Sequence, residues 1–149
     1  MKTIRILLPL LLIGSLLLPA PARAADRAGI KAILIVAANA KGPSDSRLAP
    51  YEPTLRRILR FESYRFVGQG STSLDIPGTA SVSPGGGHRL EFTTEEGGGR
   101  GLRVRVNWQQ GRQTLMETGL VLRPGTPAVL GGPGTGKGGE VFAVIIIGQ

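Results

Sequence analysis

Two stretches of the chain, Ala32–Ala38 (AILIVAA) and Val141–Ile147 (VFAVIII), are apolar without interruption, while the segments between them alternate. A strand with one wet face alternates apolar and polar residues; a strand buried on both faces does not. The two runs therefore predict central strands that could lie side by side, each needing cover on both faces. A single helical stripe supplies the cover for one face. Leu48, Tyr51, Leu55, Ile58 and Leu59 recur at helical spacing over Arg47–Leu59, and Asp45 or Ser46 can cap the start. Pro50 and Pro53 fit only the first turn, so the regular helix can begin as late as Pro50.

From Phe61 the period changes to two. Strands are expected at Phe61–Ser73, Thr79–Ser83, His88–Thr94, Leu102–Gln109, Gln113–Leu122 and Pro127–Leu130, with glycine-containing turns at Pro84–Gly87, Gly97–Gly99 and Gln110–Arg112. The clearest is Leu102–Gln109. Leu102, Val104, Val106 and Trp108 point one way; Arg103, Arg105 and Asn107 point the other. Arg123-Pro124-Gly125-Thr126 fits a type II turn, with proline at its second position and glycine supplying positive φ at its third. Ala25–Lys31 reads as a polar lead-in and Gly131–Gly139 as a flexible loop. The pattern gives an α+β domain: a mostly antiparallel β-sheet of seven or eight strands with one amphipathic helix. The competing arrangement is a β-sandwich with the helix as a cap.

Residues 1–24 follow a different logic. Met1–Arg5 carries Lys2 and Arg5, Ile6–Leu18 is almost wholly apolar, and Pro19–Ala24 ends in Ala22-Arg23-Ala24. That is the layout of a secretory signal peptide cleaved after Ala24. The apolar run, broken by Pro9 and Gly14, falls short of the ~20 residues that a bilayer-spanning helix needs. The expected product is a single β-rich domain of residues 25–149, periplasmic or secreted, with no transmembrane helix after cleavage.

Composition narrows the chemistry. The chain has no cysteine, which leaves an exported domain without disulfides, thiolate metal sites, cysteine nucleophiles or lipid attachment through a cysteine. Its formal charge is +8; Lys2, Arg5 and Arg23 leave with the signal peptide, so 15 basic residues face 10 acidic ones and the net falls to +5. A mildly positive exported domain suits an anionic polysaccharide or lipid surface, but solubility together with a coding bias toward arginine accounts for the charge without any such partner.

Gly131–Gly138 (GGPGTGKG) comes within one residue of the phosphate-loop pattern G-x-x-x-x-G-K-[ST]. Gly138 stands where a hydroxyl would hold magnesium, and the β-branched run that follows predicts a strand in place of the helix whose N-terminus would face a phosphate. Nucleotide is therefore not an expected ligand. His88, the only histidine, is in phase with Leu90 and Phe92 and falls at the inward edge of a strand's start. One histidine without cysteine is a poor zinc set, and no G-x-S-x-G elbow presents a serine to it. No catalytic residue, metal ligand or cofactor is assigned. Six arginines remain as an anion-binding option: Arg103 and Arg105 on one strand face, Arg89 on a neighbouring strand, and Arg56, Arg57 and Arg60 on the helix. An ordinary solvated face paired with Glu91, Glu62 and Glu117 is the other explanation. The arginine face carries no aromatic stacking platform, so nucleic acid is not an expected partner.

The apolar first strand, the helix ending Leu55-Arg-Arg-Ile-Leu-Arg-Phe61-Glu-Ser-Tyr64, and the late Leu122-Arg-Pro-Gly-Thr-Pro-Ala-Val-Leu-Gly-Gly132 together resemble small exported bacterial proteins of unknown function. The likeness spans most of residues 25–149. It implies a non-enzymatic envelope role and carries over no activity, cofactor or functional residue. The expected function is a non-catalytic envelope protein that binds another envelope protein as an interaction or assembly module, its strand edges able to extend a partner's sheet. Binding of anionic glycan or lipid head groups through the arginines is one alternative. A small hydrolase using His88 is another.

Overall fold

The computed structural model describes residues 27–95 and 101–149; the expected signal peptide and the Gly97–Gly99 turn lie outside them. Eight strands are described: β1 Arg27–Ala38, β2 Ser63–Asp75, β3 Gly78–Gly85, β4 His88–Thr94, β5 Leu102–Gln110, β6 Gln113–Leu122, β7 Ala128–Gly134 and β8 Glu140–Gly148. One α-helix, α1, spans Glu52–Leu59. The strands form two four-stranded antiparallel sheets, ordered β2-β1-β8-β7 and β3-β4-β5-β6. The fold is α+β with a sandwich-like arrangement.

β1 and β8 pair from Ile30↔Gly148 to Ala38↔Glu140 at the centre of the first sheet. Their lack of alternation has a direct cause, since each face of that sheet is covered. On one face Ile30, Ala32, Leu34, Val144 and Ile146 pack against Leu90, Phe92, Val104, Val106 and Trp108 of the second sheet. On the other, Ile33, Ile35, Ala37, Ala143 and Ile145 meet Leu48, Leu55 and Tyr64 on the helix side. The molecule is three layers deep: helix, sheet, sheet. Leu55 is fully buried in the outer seam, which contributes about 1.5–3 kcal/mol of transfer free energy.

The helix expected over Arg47–Leu59 divides in two. Ser46–Leu48 is a 3-10 turn capped by Asp45, whose side chain accepts from the Arg47 N–H, and α1 begins only at Glu52. Proline explains the break. Pro53 sits in the first turn of α1, where a missing N–H costs no intrahelical bond, while Pro50 lies in the turn between the two pieces. The Arg47 guanidinium beside Asp45 holds its carboxyl down at about 2.

β4 and β6 match their expected bounds. β1 starts at Arg27 instead of Ala32, because Arg27–Lys31 pairs with Ser71–Asp75 of β2. β7 runs on to Gly134, so Gly131–Gly134 is strand and the connecting loop is shorter than expected. Backbone pairing does not require apolar side chains, which is why the pattern missed both extensions. The two sheets meet at a corner where β2 passes β3. A Cβ on Gly68 would run into the Pro84 carbonyl oxygen, and one on Gly70 would come 2.5 Å from Val82 Cγ1. Glycine at these positions lets the backbones cross where side chains would hold them apart. Among the described residues no helix is long and apolar enough to cross a membrane.

Candidate functional site

β5 alternates as expected, sending Val104 and Val106 into the core and Arg103 and Arg105 to the outer face of the second sheet. The register sets Arg105 beside Thr93 on β4 and Gly119 on β6, and Arg103 beside Val121. With no side chain at Gly119, a shallow hollow of about 310 Å³ opens there, rimmed by Arg103, Arg105, Glu95 and Val121. Arg103 and Arg105 form no ion pair with a described residue. Arg89, on the same face of β4, is held by Glu91 at 3.6 Å and by the Ser81 hydroxyl at 3.4 Å.

The helix arginines lie elsewhere. Arg56 is bound to Glu52 one turn earlier at 2.7 Å, a bond that raises its pKa, and its guanidinium stands 5.8 Å from the Tyr64 ring. Arg57 is exposed on α1, and Arg60 caps it in the left-handed region at φ 54°. Both sheets, packed about 10 Å apart, separate this group from Arg103 and Arg105. The six arginines thus make two groups on opposite sides of the molecule, and no single site joins them.

His88, the first residue of β4, points inward and is 2% exposed. Trp108 Nε1 donates to His88 Nδ1 at 3.0 Å. That bond assigns the tautomer: Nδ1 accepts, so the proton sits on Nε2, which is buried with no partner among the described residues. Phe142 meets the imidazole edge-on at 4.5 Å, and burial pushes the histidine pKa below 6.5. Gly132 of β7 crosses directly above Trp108, where any Cβ would strike the indole. No described carboxylate or serine hydroxyl hydrogen-bonds His88. The sequence placed His88 inward but did not reveal Trp108 as its partner. The register pairs Leu90 with Trp108, which makes His88 a diagonal neighbour of the indole. The available signal was that both residues occupy inward positions on successive strands.

The Gly131–Gly138 stretch is the end of β7 and most of the turn into β8. Thr135 N–H donates to the Glu140 carbonyl, the Thr135 hydroxyl to the Glu140 carboxylate, and Lys137 N–H to Thr135 Oγ1. The Thr135 and Lys137 N–H groups are thus occupied within the turn, and the chain continues as a strand instead of the helix whose N-terminus would face a phosphate. Among the described residues no three His, Cys, Asp or Glu side chains gather where they could hold a metal.

Backbone is the other recognition surface. β2, β3, β6 and β7 are the sheet edges, and natural edges are blunted by proline, bulges, charge or cover. β2 and β3 cover one another at the glycine corner. β7 has seven residues, a proline at 133 and a bulge between Gly131 and Gly134. β6 has ten residues, no proline and one charge, Glu117, and its ladder to β5 is unbroken from Met116 to Leu122. Val121 on this strand is 54% exposed, the most exposed large apolar side chain among the described residues. β6 has an irregularity too, between Thr114 and Met116, but from Met116 to Leu122 it carries neither proline nor bulge. No family model, curated protein or solved structure matches the chain.

Proposed function

We propose that this chain is a non-catalytic exported protein, periplasmic or secreted, that serves the bacterial envelope as an interaction or assembly module and engages its partner through β6. The observation that carries this reading is the Met116–Leu122 edge of β6, free of proline and bulge, which offers an incoming strand a row of backbone donors and acceptors. Export rests on the charged, apolar and small-residue succession of residues 1–24. The buried His88 and the self-satisfied Gly131–Gly138 turn favour binding over catalysis.

Replacing Gly119 by proline removes an N–H from the middle of β6. Wild-type protein is expected to retain an envelope partner from native extract that Gly119→Pro loses, with circular dichroism and melting of the two proteins alike. Equal capture by both, or none by the wild type, overturns the reading.

A specific feature favours a second reading, the binding of anionic glycan or lipid head groups. Arg103 and Arg105 rim the hollow at Gly119 without an ion pair to any described residue, and a guanidinium fork suits phosphate, sulfate or carboxylate. The site is then these two residues, since Arg89 is held by Glu91 and α1 lies on the far side. Binding to lipopolysaccharide or acidic vesicles should weaken with salt and vanish in Arg103→Glu/Arg105→Glu. Unchanged binding in that variant removes the site.

A further inference from the structure

Resting on the β6 reading, we infer that the strand this edge accepts is β6 of a second copy, paired antiparallel about Thr118 so that the two β3-β4-β5-β6 sheets become one. Facing residues of an antiparallel pair share a face, so Glu117 meets Gly119 of the second copy, and Met116 meets its Leu120. Gly119 is the neighbour of Arg105 on β5. Across the outer face the order becomes Asn107, Glu117, Gly119 of the second copy, Arg105 of the second copy, and the two-fold axis repeats it.

Charge selects this register over its neighbours. Arg105 and the facing Glu117 stand two strand spacings apart, about 10 Å, with no side chain at Gly119 to block the extended guanidinium from the carboxylate. The contact forms twice by symmetry. Centring on Gly119 would instead set Arg105 opposite Arg105, and centring on Glu117 would stack carboxylate on carboxylate. A shift by one residue would turn the outer face of one chain against the inner face of the other. On the inner face, Met116 and Leu120 already pack against the core between the sheets, and the pairing extends that apolar floor across the seam. The glycine thus has a purpose in the middle of a strand that would otherwise favour a β-branched residue. A single shared ladder is a small interface, so the dimer is expected to be weak and concentration-dependent.

The test is sedimentation of the chain purified from the envelope, from low micromolar to near-millimolar concentration. Wild type should move from monomer to dimer mass. Glu117→Arg faces Arg105 with arginine, and Arg105→Glu faces Glu117 with glutamate, so each variant alone should stay monomeric. An equimolar mixture should regain the dimer, because both pairs are again complementary in the heterodimer. Circular dichroism of each variant checks that loss of association is not loss of fold. A monomeric wild type across the range, or a mixture no more associated than its components, overturns the inference. If the wild type is monomeric while Gly119→Pro still abolishes capture of an envelope partner, self-pairing is wrong and the β6 edge remains an interaction surface.

Discussion

Trp108 and His88 constrain each other in a way that ties the fold to pH. The indole N–H needs a lone pair on Nδ1, and a second proton on the imidazole would occupy it. Trp108, Phe142 and Gly86 beside the ring carry no charge to offset an imidazolium. The unfolded chain takes up the proton near 6.5 and the folded chain only below that. Stability is therefore complete above pH 6.5 and declines as pH falls beneath it, by at most about 1.4 kcal/mol per pH unit. Urea midpoints at about pH 7.5 and 5.5 should show the decline in wild type and little of it in His88→Gln, since this is the chain's only histidine. An equal decline in both proteins would remove His88 as its cause. Gly132 belongs to the same contact. Gly132→Val must displace the indole or the Phe142 carbonyl, and a loss of about 1–3 kcal/mol in the same titration is expected.

α1 acts as the second cover of the central sheet, and Leu55 is its one fully inserted side chain. Leu55→Ala should cost about 2–5 kcal/mol in urea unfolding; a change within a few tenths would mean that the helix is not needed as a cover. That role was legible in the sequence. Two strands without alternation require two covered faces, and the Leu48–Leu59 stripe was the only helical candidate for one of them. The outward direction of Arg103 and Arg105 was equally plain from the clean period of β5. Other features were hidden for physical reasons. Alternation says that a face is buried, not what buries it, so one sheet and two packed sheets look alike along β5. The crossing at Gly68 and Gly70 decides between them, and a glycine in a strand marks close approach without naming the neighbour. The grouping of the arginines was hidden for the same reason, because it depends on which face of which sheet α1 covers. The weakness of β2, β3 and β7 as docking edges, and so the choice of β6, emerges only from topology.

At the scale of the whole molecule, a β domain with both faces of one sheet covered and an edge bare from Met116 to Leu122 is suited to adding a strand, and on the proposed reading residues 1–24 deliver it to the envelope. The exported protein should have the intact mass of a chain beginning at Ala25; a mass retaining residues 1–24 would contradict cleavage after Ala24. Recognition through β6 is probed most directly by placing a photocrosslinking amino acid at residue 121 on β6 in living cells, with residue 57 on α1 as the comparison, since both side chains are exposed. Illumination should yield discrete adducts from position 121, to a second copy or to another envelope protein, and none of matching abundance from position 57. An absence of adducts from position 121, or the same adducts in the same yield from both, would contradict recognition through that edge.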